Sequence, residues 1–230
     1  MADSQSELSA HLSSRAETGE ILRASGVPTV ELRAGVVIGS GSASFEMLRH
    51  LTHRLPIMTT PKWVSNRTQP IPIRDVLYYL RKTANLEKPE NRICDIGGPE
   101  VVTYAEMMQK FAGLSGLRKR KIIQIPVLTP KLSSLWIGFV TPVPTSLARP
   151  LVESLISEVV ADPAKSITKI IALPPEGLLT VSQAIQLALT RTEENSVSTR
   201  WSDAAFPTAP WQKAQSDPDW AGEALYKDTR

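Results

Sequence analysis

The side chains with chemical capacity are few and scattered. His50 and His53 stand three residues apart in a stretch of helical pattern, a spacing that brings both to one face. The single cysteine, Cys94, lies far along the chain, so these residues do not make a zinc site. Gly97-Gly98-Pro99 has the small residues of a phosphate-binding turn, but neither a third glycine nor a following Lys-Ser/Thr. It reads as the turn that ends a strand. Gly39-Ser40-Gly41-Ser42 is either a strand-to-helix turn that needs small residues or a loop that approaches a ligand. Arg74 and Asp75 open a helix; Asp75 reads as a cap or dipole partner, and Arg74 as a donor facing a phosphate or as a solvated arginine. Arg33 lies inside a strand of buried type, so its charge needs a partner. The run Arg118-Lys119-Arg120-Lys121 is short and reads as solvating a loop. Trp136, Ile137, Phe139 and Val140 form an apolar cluster that belongs either to the core or to a partner- or lipid-facing surface.

The elements that must position these residues follow from periodicity and punctuation. Leu8, Leu12, Ala16, Gly19 and Leu22 keep helical spacing and predict a helix over 8–25, with Gly26 to stop it. Val27 to Ile38 is β-branched and predicts one buried strand. A short helix follows over 43–53, then a loop over 54–70 carrying Pro56, Pro61 and Pro70. Ile71 to Ile73 predicts a short strand, 74–84 a helix, and Arg92 to Ile96 a strand. Thr103 is placed to cap a helix through Leu114, with Glu106 completing a capping box. A strand over 122–125 comes next, then helical segments near 127–140 and 145–160, and a last helix from Thr180. After Glu194 the chain turns to Ser, Thr, Pro and Asp without apolar periodicity, as a linker or tail does. Alternating strands and helices up to Leu114 favour an α/β class.

Composition narrows the possibilities. With 26 basic and 23 acidic residues the net charge is +3, too weak for the basic stripe of a dedicated nucleic-acid binder. Hydrophobic residues make up 42% and charged residues 21% of the 230, which suits a packed core rather than a disordered chain. One cysteine allows no intramolecular disulfide. The polar N-terminus has no apolar signal region, and the uncharged run between Lys131 and Arg149 is broken by Pro142 and Pro144. A cytoplasmic protein without a membrane span is the expectation.

Four stretches, in chain order, carry a family resemblance. VELRAGVVIGSG resembles the hxLRPxxhhGxG strand-and-loop segment of the extended and atypical short-chain dehydrogenase/reductases. IPIRDV resembles their hxhxDV segment, and ICDIGGPEVVTYAEMM their hxhGGPxxhTxxEh segment. HLSSR stands where the YxxxK helix of that family runs. The resemblance spans about residues 5–193 and is nearest in style to bacterial members labelled nucleoside-diphosphate-sugar epimerase-like. These in turn resemble the accessory nucleotide-binding subunit of respiratory complex I. Some carry a second domain, whose opening DWAGEALYKDTR resembles.

The resemblance implies an α/β fold: part of a doubly wound, Rossmann-like parallel sheet with flanking helices and a helical C-terminal substrate-side region. That part would span 1–194, with a linker and the start of a second domain over 195–230. Family members bind NAD or NADP through a GxxGxxG turn at a helix N-terminus. These 230 residues contain no such turn. The expectation is a chain truncated at both ends that binds neither NAD nor NADP by itself. In the family a Tyr is the general acid/base, and a Lys four residues on lowers its pKa and bonds the nicotinamide ribose. His11 and Arg15 hold those catalytic positions here. Histidine can shuttle a proton; arginine cannot deprotonate, but its fork can still bond ribose hydroxyls. By the same resemblance Arg15, Ala34, Gly35, Val36, Val37 and Ile38 face the cofactor, and Gly39, Ser40, Gly41, Ser42 and Arg74 face the substrate. The implied function is an NAD(P)-binding oxidoreductase or epimerase type in an inactive or truncated form. The alternatives are a non-catalytic binding or assembly module, like the complex I subunit, or a gene fragment. The implied partners are a nucleotide and either a second copy or a complementing chain, because the strand Val30 to Ile38 would present an unpaired edge.

Overall fold

The computed structural model describes residues 10–88, 90–124, 152–155 and 157–193. The helices predicted near 127–140, the cluster around Trp136 and the 195–230 tail lie outside them.

Helix α1, Ala10–Ala24, leads into β1, Val30–Ala34. Thr29 Oγ1 ties the two by bonding the Leu22 carbonyl at 3.2 Å. A Cβ at Gly19 would run into the Glu31 side chain, so the glycine lets α1 lie directly over the strand. The predicted strand 27–38 is two strands. β1 runs parallel to β6, Arg92–Ile96, in the register Val30↔Arg92 to Ala34↔Ile96. After Gly35 the chain changes partner. The Val36 carbonyl accepts from Ile71 N–H at 2.9 Å, and β2, Val37–Ile38, pairs in parallel with β5, Ile71–Pro72. Gly35 makes the shift possible, since a Cβ there would press on Val159 and Thr68 at 3.1 and 3.3 Å.

The stretch 54–70, expected to be loop, holds two strands between its prolines. β3, Ile57–Thr60, pairs in parallel with β8, Lys121–Gln124, and β4, Arg67–Thr68, pairs antiparallel with β7, Val102–Thr103. The helix expected over 145–160 is not continuous: Val159 bridges in parallel to Thr68. Parallel pairs need long crossovers, and α2, Ala43–Arg54, and α3, Ile73–Ala84, supply them.

Most of the apolar core lies between α2, α4 (Tyr104–Leu114) and α5 (Val181–Glu193). Phe45 meets Phe111 edge to face at 6.1 Å, and Met58, Val64 and Ile185 are fully buried around them. A second cluster, with Ile71, Tyr79, Cys94 and Ile96, packs behind β1, β5 and β6. The capping box at α4 forms as expected: Thr103 Oγ1 accepts from Glu106 N–H at 3.2 Å, and Glu106 accepts from Thr103 N–H at 2.7 Å. The basic run does not simply solvate a loop. Arg120 is buried, and its Nε donates to the Thr52 carbonyl at 2.8 Å, closing the C-terminal end of α2. Among the described residues no helix is long and apolar enough to cross a membrane.

Candidate functional site

Two cavities flank β2, where the chain has changed strand partner. The first, of ≈480 Å³, is walled by α1 and β1 on one side and by Ser154, Leu155, Ser157, Glu158 and Val159 on the other, with Tyr104 among its polar groups. Arg15, Ala34, Gly35, Val36 and Val37 all line it. Five of the six residues given a cofactor-side place by resemblance therefore converge here. Ile38 does not: successive strand residues face opposite ways, and Ile38 turns to the apolar core and the second cavity. The His11 side chain lies outside what is described. Arg15 is exposed on α1 and is among the residues that line the cavity. Burial pushes the Tyr104 hydroxyl up to about 12, so it stays protonated and acts only as a neutral hydrogen-bonding group.

The second cavity, of ≈520 Å³, lies between α3 and α5 over Ile38 and Pro72. Gly39, Ser40 and Arg74 line it, together with Gln183 and Arg191. The other two residues expected on the substrate side serve the turn instead. Gly41 takes a left-handed φ of 81°, and its N–H donates to Glu46 at 3.3 Å. Ser42 caps α2, accepting from Phe45 N–H at 3.3 Å and donating to the Val37 carbonyl at 3.2 Å. Arg74 is neither a solvated side chain nor an uncommitted phosphate donor. Its Nε donates to Asp75 at 2.7 Å and its Nη2 to the Gly177 carbonyl at 2.8 Å. Asp75 is fully buried, and its second oxygen accepts from Leu179 N–H at 3.0 Å. The pair locks α3 to the approach of α5 rather than capping its own helix.

Gly97-Gly98 ends β6 because the chain packs closely there. A Cβ at Gly98 would strike the Pro70 carbonyl, which its own N–H bonds at 2.9 Å. Sequence reasoning missed a charged cluster inside α2. Glu46, Arg49 and His50 are buried, with Glu46 to Arg49 at 2.7 Å and to His50 at 3.5 Å. Their i, i+3, i+4 spacing was the available signal. Burial pushes the Glu46 carboxyl up, but the bond from His50, the Arg49 charge and Gly41 N–H together hold it below the usual range. Burial and the neighbouring Arg120 push His53 down. Among the described residues no group of His, Cys, Asp and Glu is arranged to hold a metal.

A dinucleotide fits the first cavity only in part. Arg15 and the small backbone at Gly35 suit a ribose, and Ser44 in the first turn of α2 and Tyr104 at the start of α4 also line the cavity, but the described lining holds no three-glycine turn to receive a pyrophosphate. No protein-family model and no curated relative matches the sequence. Solved structures do. They include TunA, an NAD-dependent NDP-hexosamine 5,6-dehydratase of tunicamycin biosynthesis (19% identity, TM-score 0.51, 80% of this chain and 52% of that one). WbmH of Bordetella bronchiseptica, solved with NAD+, matches at 13% identity and a TM-score of 0.52, over 79% of this chain and 51% of that one. The NADPH-dependent quinone oxidoreductase QOR2 of Escherichia coli matches at 18% identity and 0.55, over 75% and 59%. The chain thus spans about half the length of the solved structures it matches first. At such identities the match speaks to fold alone: over the part it spans, the chain has the α/β fold of these solved structures.

Proposed function

We propose that the chain supplies the ribose- and substrate-facing walls of an NAD(P)-type site and holds ligand there without transferring hydride. The observation that carries this reading is the convergence of Arg15 with Ala34, Gly35, Val36 and Val37 on one cavity. His11 and Arg15 stand where the family has its proton-transferring Tyr and pKa-lowering Lys. Arginine holds its proton at any working pH, so the pair cannot relay one between them. The guanidinium keeps its donors, however, and can bond the two hydroxyls of a ribose. The second cavity, with Gly39, Ser40 and Arg74, is the substrate-side wall of the same reading.

Reduced nicotinamide mononucleotide and NADH, titrated by fluorescence, test it. Both should bind at about the millimolar level, near −4 kcal/mol, and alike, because nothing recognises the adenylate end. Arg15→Ala should weaken both several-fold, and no carbonyl acceptor should oxidise bound NADH. Micromolar NADH binding, a strong preference for the dinucleotide, or an indifferent Arg15→Ala variant would each sink the reading.

A further inference from the structure

The first cavity has a shape that a nucleotide reading does not use. Glu31, Leu32, Arg33 and Ala34 all line it. Successive strand residues point to opposite faces, so a space touched by four in a row runs along the edge of β1, not over a face. The hydrogen-bond register says which backbone groups face it. The Thr29 carbonyl accepts from Arg92 N–H at 3.0 Å, and Val30 is the partner of Arg92. In a parallel ladder residues 29, 31 and 33 then bond β6, and the N–H and C=O of Val30, Leu32 and Ala34 point away from it. Among the described residues β1 has no other strand partner. The edge is five residues long, and nothing in its own sequence blunts it with proline.

We propose that this edge pairs with β1 of a second copy of the same chain, antiparallel and centred on Leu32. The sequence of the strand, Val-Glu-Leu-Arg-Ala, is self-complementary about that centre. Leu32 would face Leu32 of the other copy, Val30 would face Ala34, and Glu31 would face Arg33 twice over. Leu32 and its counterpart form a hydrogen-bonded pair in this register. The Glu31–Arg33 pairs fall at the non-hydrogen-bonded positions, where side chains lie closest. Both charges sit on the α1 side: Glu31 bonds Arg23, and Arg33 Nε bonds Glu31 at 2.7 Å. They are already ordered and mostly covered, at 15% and 20% side-chain exposure, so the second pairing costs little further freedom. A two-fold axis normal to the sheet places α1 of both copies on one face. On that helix Ile21 and Leu22 are 63% and 51% exposed in one chain. The inference does not rest on the ribose reading. The two occupants share one groove and would compete for it.

Sedimentation velocity across a micromolar concentration series tests the pairing, with Glu31→Arg, Arg33→Glu and their equimolar mixture beside the wild type. The wild type should be a concentration-dependent dimer. Each single substitution sets like charges opposite each other twice, so each should raise the dimer dissociation constant about tenfold. The mixture should restore dimers, because every cross-strand pair in the mixed species is again opposite in charge. A fold defect in either variant would not be repaired by mixing. A wild type that stays monomeric throughout, single variants that dimerise unchanged, or a mixture that fails to recover overturns the proposal. Failure of nucleotide binding leaves all three readouts intact.

Discussion

Two regions of this molecule hold charges close to apolar surface, and they hold them differently. In α2, Glu46, Arg49 and His50 are at or below 4% exposure, and the Glu46 carboxylate binds Arg49, His50 and the turn at Gly41 at once. At the edge of β1, Glu31 and Arg33 share a bond beside a cavity that also admits solvent. The α2 region is closed: its charges are satisfied inside, and the core of α2, α4 and α5 packs around them. The β1 region is open, because its strand offers half its backbone groups outward. The comparison teaches where stability resides and where recognition can occur. Charges sealed in the core cannot be removed cheaply, and charges at an edge can be exchanged for those of a partner.

The largest contrast should come from removing one carboxylate in each region. Glu46→Ala leaves a buried arginine without its anion and should cost about 3–5 kcal/mol in urea unfolding. Glu31→Ala leaves Arg23 and Arg33 near solvent and should cost no more than about 1 kcal/mol. Similar losses at the two sites would erase the distinction. The same contrast has a pH form. The Glu46 carboxyl is held below its ordinary value of 4.5 in the fold. Its stabilisation is therefore present above that value and is lost as pH falls through the lower folded value. Glu100 behaves alike on the α5 side, where burial opposes but the Val181 N–H at 2.6 Å and Lys110 at 3.0 Å prevail. Acid unfolding of the wild type should be steeper than that of Glu46→Gln below pH 4.5, as followed by circular dichroism.

Local signals were legible in both regions: Thr103 stands at the N-cap of α4 with its capping box, and the Arg92–Ile96 strand has the expected bounds. What the sequence hid was long-range. Nothing local in Val27 to Ile38 says that the chain changes strand partner at Gly35; that depends on Val159, more than a hundred residues away. Three prolines made 54–70 read as loop, yet Pro56 and Pro61 flank β3 without interrupting it. Arg120 looked like one of four solvated charges because its partners, the Thr52 and His53 carbonyls, carry no side-chain signature. The site residues divide by the same rule. Ala34 to Val37 reach their cavity by position on the chain, whereas Ser42 and Arg74 are drawn into the fold by bonds that no motif reveals.

A smaller effect sharpens the picture on the closed side. Thr103→Ala removes the side-chain acceptor for Glu106 N–H and the hydroxyl's own bond to the Glu106 carboxylate, and leaves the backbone N–H at 103 in place. Loss of such a cap costs about 1 kcal/mol. Thermal unfolding should register it, and the dimer constant should not move, because the cap is not among the residues that line the β1 edge. A change in self-association would mean that the two regions are coupled.

The last measurement costs the protein no stability and addresses the open side alone. In a β1 paired only with β6, Glu31 and Arg33 donate inward, and Leu32 and Ala34 direct their amides to the cavity. Amide exchange at a concentration low enough to dissociate any dimer should therefore alternate along the strand, slow at 31 and 33, fast at 32 and 34. Ile185, buried at 0% exposure in α5, sets the slow reference. Raising the concentration should protect Leu32 and Ala34 and leave the odd positions unchanged, because only the outward groups gain partners. A ligand in the same groove would slow exchange at some of these sites as well, but without the concentration dependence of the apo chain. Uniform protection of all five residues at every concentration would mean that a segment of the same chain already closes the edge, and β1 would then belong with the sealed half of the molecule.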